Sequence, residues 1–205
     1  WPVDVVYRRT DRDRLTGPDG KPTPFSELLL PAMCKGRLAV FNAFGTGIAD
    51  DKLAHAYVEE MIRFYLAEEP VLPSVETFDL GEPDQLADAL DRLDDLVVKE
   101  RSGEGGYGVT IWSQSAPERR ESVLRELRRR PHEFVAQERI LLSTHPTVID
   151  GGLAPRHVDL RPFTLTAGRD VSVIPGGLTR VAFGAGALVV NSSQNGGGKD
   201  TWVLT

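Results

Sequence analysis

Lys99 ends an apolar run, Leu96-Val97-Val98, and four of the next nine residues are glycine, at 103, 105, 106 and 108. A lysine on a strand beside a glycine-rich loop offers one cation and several backbone N–H donors, the groups that hold a polyphosphate. Gly103, Gly105 and Gly108 match G-x-G-x-x-G, a pattern that says little without its context. A dinucleotide fingerprint needs a helix directly after the loop, whereas Val109-Thr110-Ile111-Trp112 predicts a second strand. A protein-kinase loop has its phosphate-binding lysine after the glycines; here the lysine comes before them. The plain alternative is a hairpin turn, and it needs fewer glycines than this.

Four other constellations could carry chemistry. In Pro155-Arg156-His157-Val158-Asp159-Leu160-Arg161-Pro162-Phe163 a strand would place His157, Asp159 and Arg161 on one face and Val158 and Leu160 on the other. Charges of both signs at period two suit a structural Asp–Arg ion pair. They equally suit an active-site face, with Asp159 on a metal and Arg156 or Arg161 on phosphoryl oxygens. His157 could simply hydrogen-bond within the sheet. The run Asn191 to Thr201 imitates a P-loop but fails it twice, with Ser193 in place of the first glycine and Asp200 in place of Ser or Thr. What survives is an asparagine oxygen, a hard ligand suited to Mg²⁺, followed by hydroxyls and a glycine-rich loop through Lys199. In Asp50-Asp51-Lys52 both carboxylates would cap a helix N-terminus, and Lys52 lies just inside it. At Gln137-Glu138 an apolar strand ends in an amide and an acid that could read an adenine edge or a ribose hydroxyl.

The elements that must position these residues follow from periodicity. Residues 1–70 predict a strand over Val3 to Tyr7, a polar loop from Asp11 to Pro24, an apolar segment at Leu38 to Phe41, and a helix with Leu53, Tyr57, Met61 and Phe64 or Tyr65 on one face. Residues 71–140 alternate strand and helix. Strands fall at Val75 to Phe78, Leu96 to Lys99, Val109 to Trp112 and Phe134 to Ala136. Helices run from Glu82 to Leu93 and from Pro117 to just before Pro131. Residues 141–205 carry short β-prone runs, Leu188 to Val190 among them, separated by turn signals at Asp150-Gly151-Gly152 and Pro175-Gly176-Gly177. The expected class is α+β with mostly antiparallel sheets.

Composition narrows the function classes. The 205 residues carry a net charge of −6, and the one dense basic spot, Arg128-Arg129-Arg130, falls at a helix C-terminus where the dipole favours cations. A nucleic-acid partner is therefore not expected. No apolar run approaches the roughly 20 residues that span a bilayer, so no membrane partner is expected either. There is no signal-peptide pattern, and the lone Cys34 can make no internal disulfide, which together point to the cytoplasm. Its setting, Pro31-Ala32-Met33-Cys34, predicts a packed thiol rather than a nucleophile. The first residue is Trp1, not Met, which suggests a piece of a longer protein.

Taken in order, several segments resemble one family. They are Gly47 to Lys52, Val98 to Val109, Gln137-Glu138, Ser143 to Thr147, Arg156 to Phe163, Pro175 to Ala182, and Asn191-Ser192-Ser193-Gln194 through Lys199-Asp200-Thr201-Trp202. The series is similar to the circularly permuted ATP-grasp proteins, relatives of the glutathionylspermidine synthases, along nearly the whole chain. The resemblance implies two α+β subdomains that clasp ATP between their sheets, with Mg²⁺ at the phosphates. It implies that Lys52 and Lys99 reach the phosphates and that Gly103, Gly105, Gly106 and Gly108 form a flap. Gln137 and Glu138 would face adenine and ribose, and Asp159 and Asn191 would bind the metal. Arg161 or Arg180 would stabilise charge on the γ-phosphate. The implied reaction turns a carboxylate into an acyl phosphate, which an amine then attacks to give an amide. The chain departs from the pattern at Val189, where many such enzymes have an acid two residues before the metal-binding asparagine. Proteins of the family are also longer, with an N-terminal region that helps bind the acceptor. A nucleotide-binding module without turnover and a small-molecule phosphotransferase stand as alternatives.

Overall fold

The computed structural model describes residues 1–8, 15–103, 106–190 and 196–204. They form two compact units, Trp1–Ser74 and Val75–Thr205. In the first, β1 (Val5–Tyr7) pairs in parallel with β2 (Ala39–Phe41). Between them lies α1 (Pro24–Cys34), a helix absent from the expectation. Pro31 inside the segment speaks against a helix. The N-terminus is nevertheless well made: Thr23 Oγ1 accepts from Ser26 N at 3.2 Å, and Pro24 sits where a missing N–H costs nothing. Cys34 is exposed, contrary to the packed thiol expected. α1 buries Ser26 and Leu29, and five residues beyond Leu29 is about 140° round a helix, off that face.

The helix expected after Asp51 is α2 (Ala54–Leu66), and Asp51 Oδ1 accepts from Leu53 N at 2.9 Å at its start. Its apolar face is present but uncovered in this chain. Phe64 and Tyr65 are 80% and 75% exposed and meet edge to face at 4.9 Å.

The second unit holds two antiparallel four-stranded sheets. The first comprises β3 (Thr77–Asp79), β4 (Leu96–Glu100), β5 (Val109–Ile111) and β6 (Phe134–Glu138), in the order β3-β6-β4-β5. One face packs on α3 (Pro83–Asp91) and α4 (Pro117–Arg129). Alternation decides which face: Leu96, Val98, Phe134, Ala136 and Phe78 join Ala89, Val123 and Leu127 in the core. Leu86 and Leu93 pack against it as their spacing predicts, whereas Leu90 is exposed, because Ala89 takes the buried position. The arginine run at the end of α4 is neutralised locally. Arg129 and Arg130 each reach Glu126 at 2.8 Å, and Arg130 reaches Glu133 at 2.6 Å.

The second sheet has the order β10-β9-β8-β7, from β7 (Thr144–Ile149), β8 (Gly152–Ala167), β9 (Asp170–Ala182) and β10 (Gly196–Trp202). The turn signal at Asp150-Gly151 closes the β7–β8 hairpin, with φ of 50° and 82° at the two residues. Three expectations fail here. Pro175-Gly176-Gly177 lies inside β9 rather than at a turn, because β8 crosses so closely that a Cβ on Gly177 would stand 2.8 Å from Arg161 O. Leu188 to Val190 is not a strand. The strand is instead the glycine run expected to be a loop, β10, where a Cβ on Gly197 would stand 2.4 Å from the Phe183 ring. Among the described residues no helix is long and apolar enough to cross a membrane. The class is α+β with mixed helices and antiparallel sheets.

Candidate functional site

The face of the first sheet opposite its helices carries the polar residues that the sequence singled out. Lys99 follows buried Val98 and so points away from the core; Gln137 follows buried Ala136 and does the same. Register places Val97 opposite Gln137, Lys99 opposite Val135 and Thr77 opposite Gln137. Lys99 and Gln137 are thus diagonal neighbours, within reach for long side chains. Lys99 Nζ donates to Gln137 Oε1. Gln137 Nε2 donates to Thr77 Oγ1 at 2.8 Å, and the Thr77 hydroxyl donates to Val75 O at 2.9 Å. Lys99, Gln137 and Thr77 are half-buried, so the row of polar groups is partly accessible.

β4 and β5 form the hairpin that the glycine-rich segment predicts, with Lys99 opposite Val109 at its base. Gly103 N donates to Glu100 O at 3.3 Å, and Arg101 is tied to the strand-entry turn by Arg101 N to Glu133 O and Arg101 Nη1 to His132 O, both 2.9 Å. Gly106 and Gly108 have φ of 80° and 72°. At Gly108 a Cβ would also come within 3.1 Å of the Glu100 carboxyl carbon, so a side chain there is doubly disfavoured. Gly105 lies outside the described residues. Gly108 therefore lies over the side chain of Glu100, the residue after Lys99.

Glu138 faces the other way. Arg92 Nη2 lies 3.7 Å from its Oε1, and Arg92 also reaches Glu76 at 3.3 Å. Lys52 belongs to the first unit, in the turn before α2, where His55 N donates to Lys52 O at 3.3 Å.

On the second sheet β8 shows the expected alternation. Asp159 stands opposite Arg180 of β9, and the guanidinium takes both carboxylate oxygens, with Arg180 Nε to Asp159 Oδ1 at 2.8 Å. The Asp–Arg pair expected within the β8 segment is thus made with the neighbouring strand. Arg161, opposite Leu178, has an exposed side chain. His157 Nδ1 lies 2.8 Å from Leu142 O, a bond to the segment that leads into the sheet. Arg156 Nε donates to Phe183 O at 2.6 Å, and Lys199 Nζ donates to Pro146 O at 3.0 Å, so both bind backbone of this sheet region. Asn191 lies outside the described residues.

Lys99 on the first sheet and Asp159 on the second are residue types that a Mg²⁺–triphosphate could use. Among the described residues no three His, Cys, Asp or Glu side chains cluster to cage a metal. Mg²⁺ shared with phosphates needs only one or two carboxylates, the rest of its shell being phosphate and water. A carboxylate has about four lone-pair sites, and a bidentate arginine takes two, which leaves Asp159 able to ligate. Thr77 is the member of the polar row that the motifs did not reveal. Its partner lies 60 positions away, and only strand register brings the two together.

Comparison with known proteins agrees with the family that the segments resemble. The family described as circularly permuted ATP-grasp type 2 matches residues 1–182. "Uncharacterized protein sll0335" of Synechocystis is 46% identical over 204 residues, covering 98% of this chain and 42% of that protein. "Putative glutamate--cysteine ligase 2-2" of Frankia casuarinae is 47% identical over 202 residues, covering 98% of this chain and 23% of that protein. "Uncharacterized protein Rv2411c" of Mycobacterium tuberculosis is 43% identical over 212 residues, with 98% and 37% covered. The chain spans less than half the length of each of these relatives. ATP-grasp proteins in general use ATP and a divalent metal, and with 182 of its 205 residues matched this chain belongs to the circularly permuted ATP-grasp type 2 family.

Proposed function

We propose that the chain is the ATP- and Mg²⁺-binding part of a carboxylate–amine ligase, with residues 71–140 and 141–205 as the two halves of the clasp and residues 1–70 leading into it. The observation that carries this is Lys99, held by Gln137 on the half-buried face beside the glycine hairpin, in a chain of this family. Lys99 would bind phosphate beneath the flap of Gly103, Gly105, Gly106 and Gly108. Gln137 would meet adenine, whereas Glu138, on the other face of β6 and beside Arg92, is left out of the nucleotide contacts. Asp159 and Asn191 would hold Mg²⁺, which would supply positive charge against the phosphates. Arg161 or Arg180 would stabilise charge developing on the γ-phosphate.

In the reaction a substrate carboxylate oxygen attacks the γ-phosphorus and ADP leaves. An amine then attacks the acyl carbon, phosphate departs, and the amine proton is lost as the amide forms. The chain's part is positioning and electrostatics. The name of the Frankia relative favours an amino-acid carboxylate as donor. Two observations favour a second reading, a nucleotide-binding module without turnover: Arg180 already engages both oxygens of Asp159, and Val189 stands where an acid is common.

Titration with Mg-ATP tests the site. Lys99→Ala is expected to weaken binding by about tenfold or more, in line with loss of a charge-assisted contact. Lys199→Ala, which removes only a bond to Pro146 O, is expected to leave it nearly unchanged. Equal affinities for the two variants would refute the assignment. Hydroxylamine added to protein turning over ATP with a carboxylate gives a hydroxamate only if an acyl phosphate forms, which separates a ligase from a phosphotransferase. No ADP release by the full-length protein with any carboxylate and amine would favour the module.

A further inference from the structure

We infer that Thr77 is a positioning residue for the nucleotide site, acting through Gln137 on Lys99; the inference rests on the nucleotide reading above. A glutamine amide has one accepting end and one donating end, and either can point along a strand row. Here the choice is determined from both sides. The Thr77 hydroxyl proton is committed to Val75 O, 2.9 Å away. Its oxygen is therefore left to accept, and Gln137 Nε2 donates to it at 2.8 Å. That turns Oε1 toward Lys99, whose ammonium can only donate. The backbone carbonyl of Val75 thus sets a polarity that passes through Thr77 and Gln137 to the lysine, across β3, β6 and β4. Reversing the amide would set NH₂ against NH₃⁺ and push the cation off the face. Thr77 touches no substrate in this scheme. It keeps Lys99 pre-placed, so that less side-chain freedom is lost when phosphate arrives.

Thr77→Val keeps the β-branched shape and removes the hydroxyl; Thr77→Ser keeps the hydroxyl. Mg-ATP affinity is expected to fall about two- to tenfold in Thr77→Val, the worth of one net hydrogen bond, and to recover in Thr77→Ser. In a Gln137→Met background, where no amide remains to orient, Thr77→Val should cost nothing further. Independently of nucleotide, the side-chain NH₂ protons of Gln137 should be protected from exchange in the wild type and Thr77→Ser and unprotected in Thr77→Val, with thermal midpoints recording that each variant folds.

Failure of the wild-type full chain to bind Mg-ATP would overturn the nucleotide reading and this role with it. Wild-type binding with Thr77→Val unchanged in affinity would overturn this role alone. An equal loss in the Gln137→Met background, or unaltered exchange protection, would likewise show that Thr77 does not act through Gln137.

Discussion

The two sheets of the second unit are built from the same kind of antiparallel ladder and stabilised differently. The β3-β6-β4-β5 sheet has α3 and α4 on one face, and its inward residues are almost fully buried, with Leu96 at 0% and Val98 at 1% exposure. The β10-β9-β8-β7 sheet has longer strands but little core of its own. Val181 and Ala182 are buried, whereas Leu160, Leu165, Val171 and Val173 are each more than half exposed. Its cohesion comes from ladder bonds, close backbone approach at glycines and the Asp159–Arg180 pair. A hydrophobic core tolerates no loss of volume. A sheet built on close approach tolerates no gain.

Mutations can break this contrast. The largest effect is expected for Leu127→Ala, a side chain 2% exposed beneath the first sheet, at about 2–5 kcal/mol of unfolding free energy in urea. A loss below ~1 kcal/mol would mean that this core is not what holds the sheet. Next comes Gly177→Ala, where the new methyl meets the backbone carbonyl of Arg161 at 2.8 Å and cannot be relieved by a rotamer change; about 1–3 kcal/mol is expected. Gly197→Ala sharpens the point. The three nearest neighbours of its methyl are all ring carbons of Phe183, 46% exposed, which can swing outward, so the cost should stay under ~1 kcal/mol and shrink further in a Phe183→Ala background.

The smallest effect is electrostatic. Hydrogen bonds from Arg129 and then Arg130 hold the Glu126 carboxyl below its ordinary range. A lowered folded-state value means that the contribution is present above the unfolded value and lost as pH falls through the folded one. Glu126 is half-buried, with more than a third of its side chain open to solvent, so the contribution is small. The stability gap between wild type and Glu126→Gln should therefore be measurable at neutral pH and close below about pH 4. A gap that widened with acid would reverse the sign argued here.

The first sheet was legible in the sequence because its determinants are local. The apolar runs at Leu96 to Val98 and Phe134 to Ala136, and helical spacing at Val123 and Leu127, each signal an element within a few residues, although the runs do not show which strand face is buried. The hairpin carrying the glycines was legible for the same reason. The second sheet was legible only in part. Glycines read as a loop or a turn became strand at Gly196 to Gly198 and at Gly176-Gly177, because the need for a missing Cβ arises from a neighbouring strand and leaves no local trace. α1 was obscured by Pro31, and the exposure of Cys34 follows from a helix face that the composition of four residues does not reveal.

By itself the sequence determined residue chemistry and local period: which groups can donate, accept or carry charge, and which stretches alternate or turn. Those follow from covalent structure and from interactions a few positions apart. Only the tertiary structure decided who meets whom. Asp159 closes on Arg180, 21 positions on, rather than on Arg161 two residues away, because directly opposite cross-strand neighbours stand closer than alternate residues of one strand. Gln137 turns its oxygen to Lys99 because Thr77, 60 positions earlier in the chain, has already spent its proton.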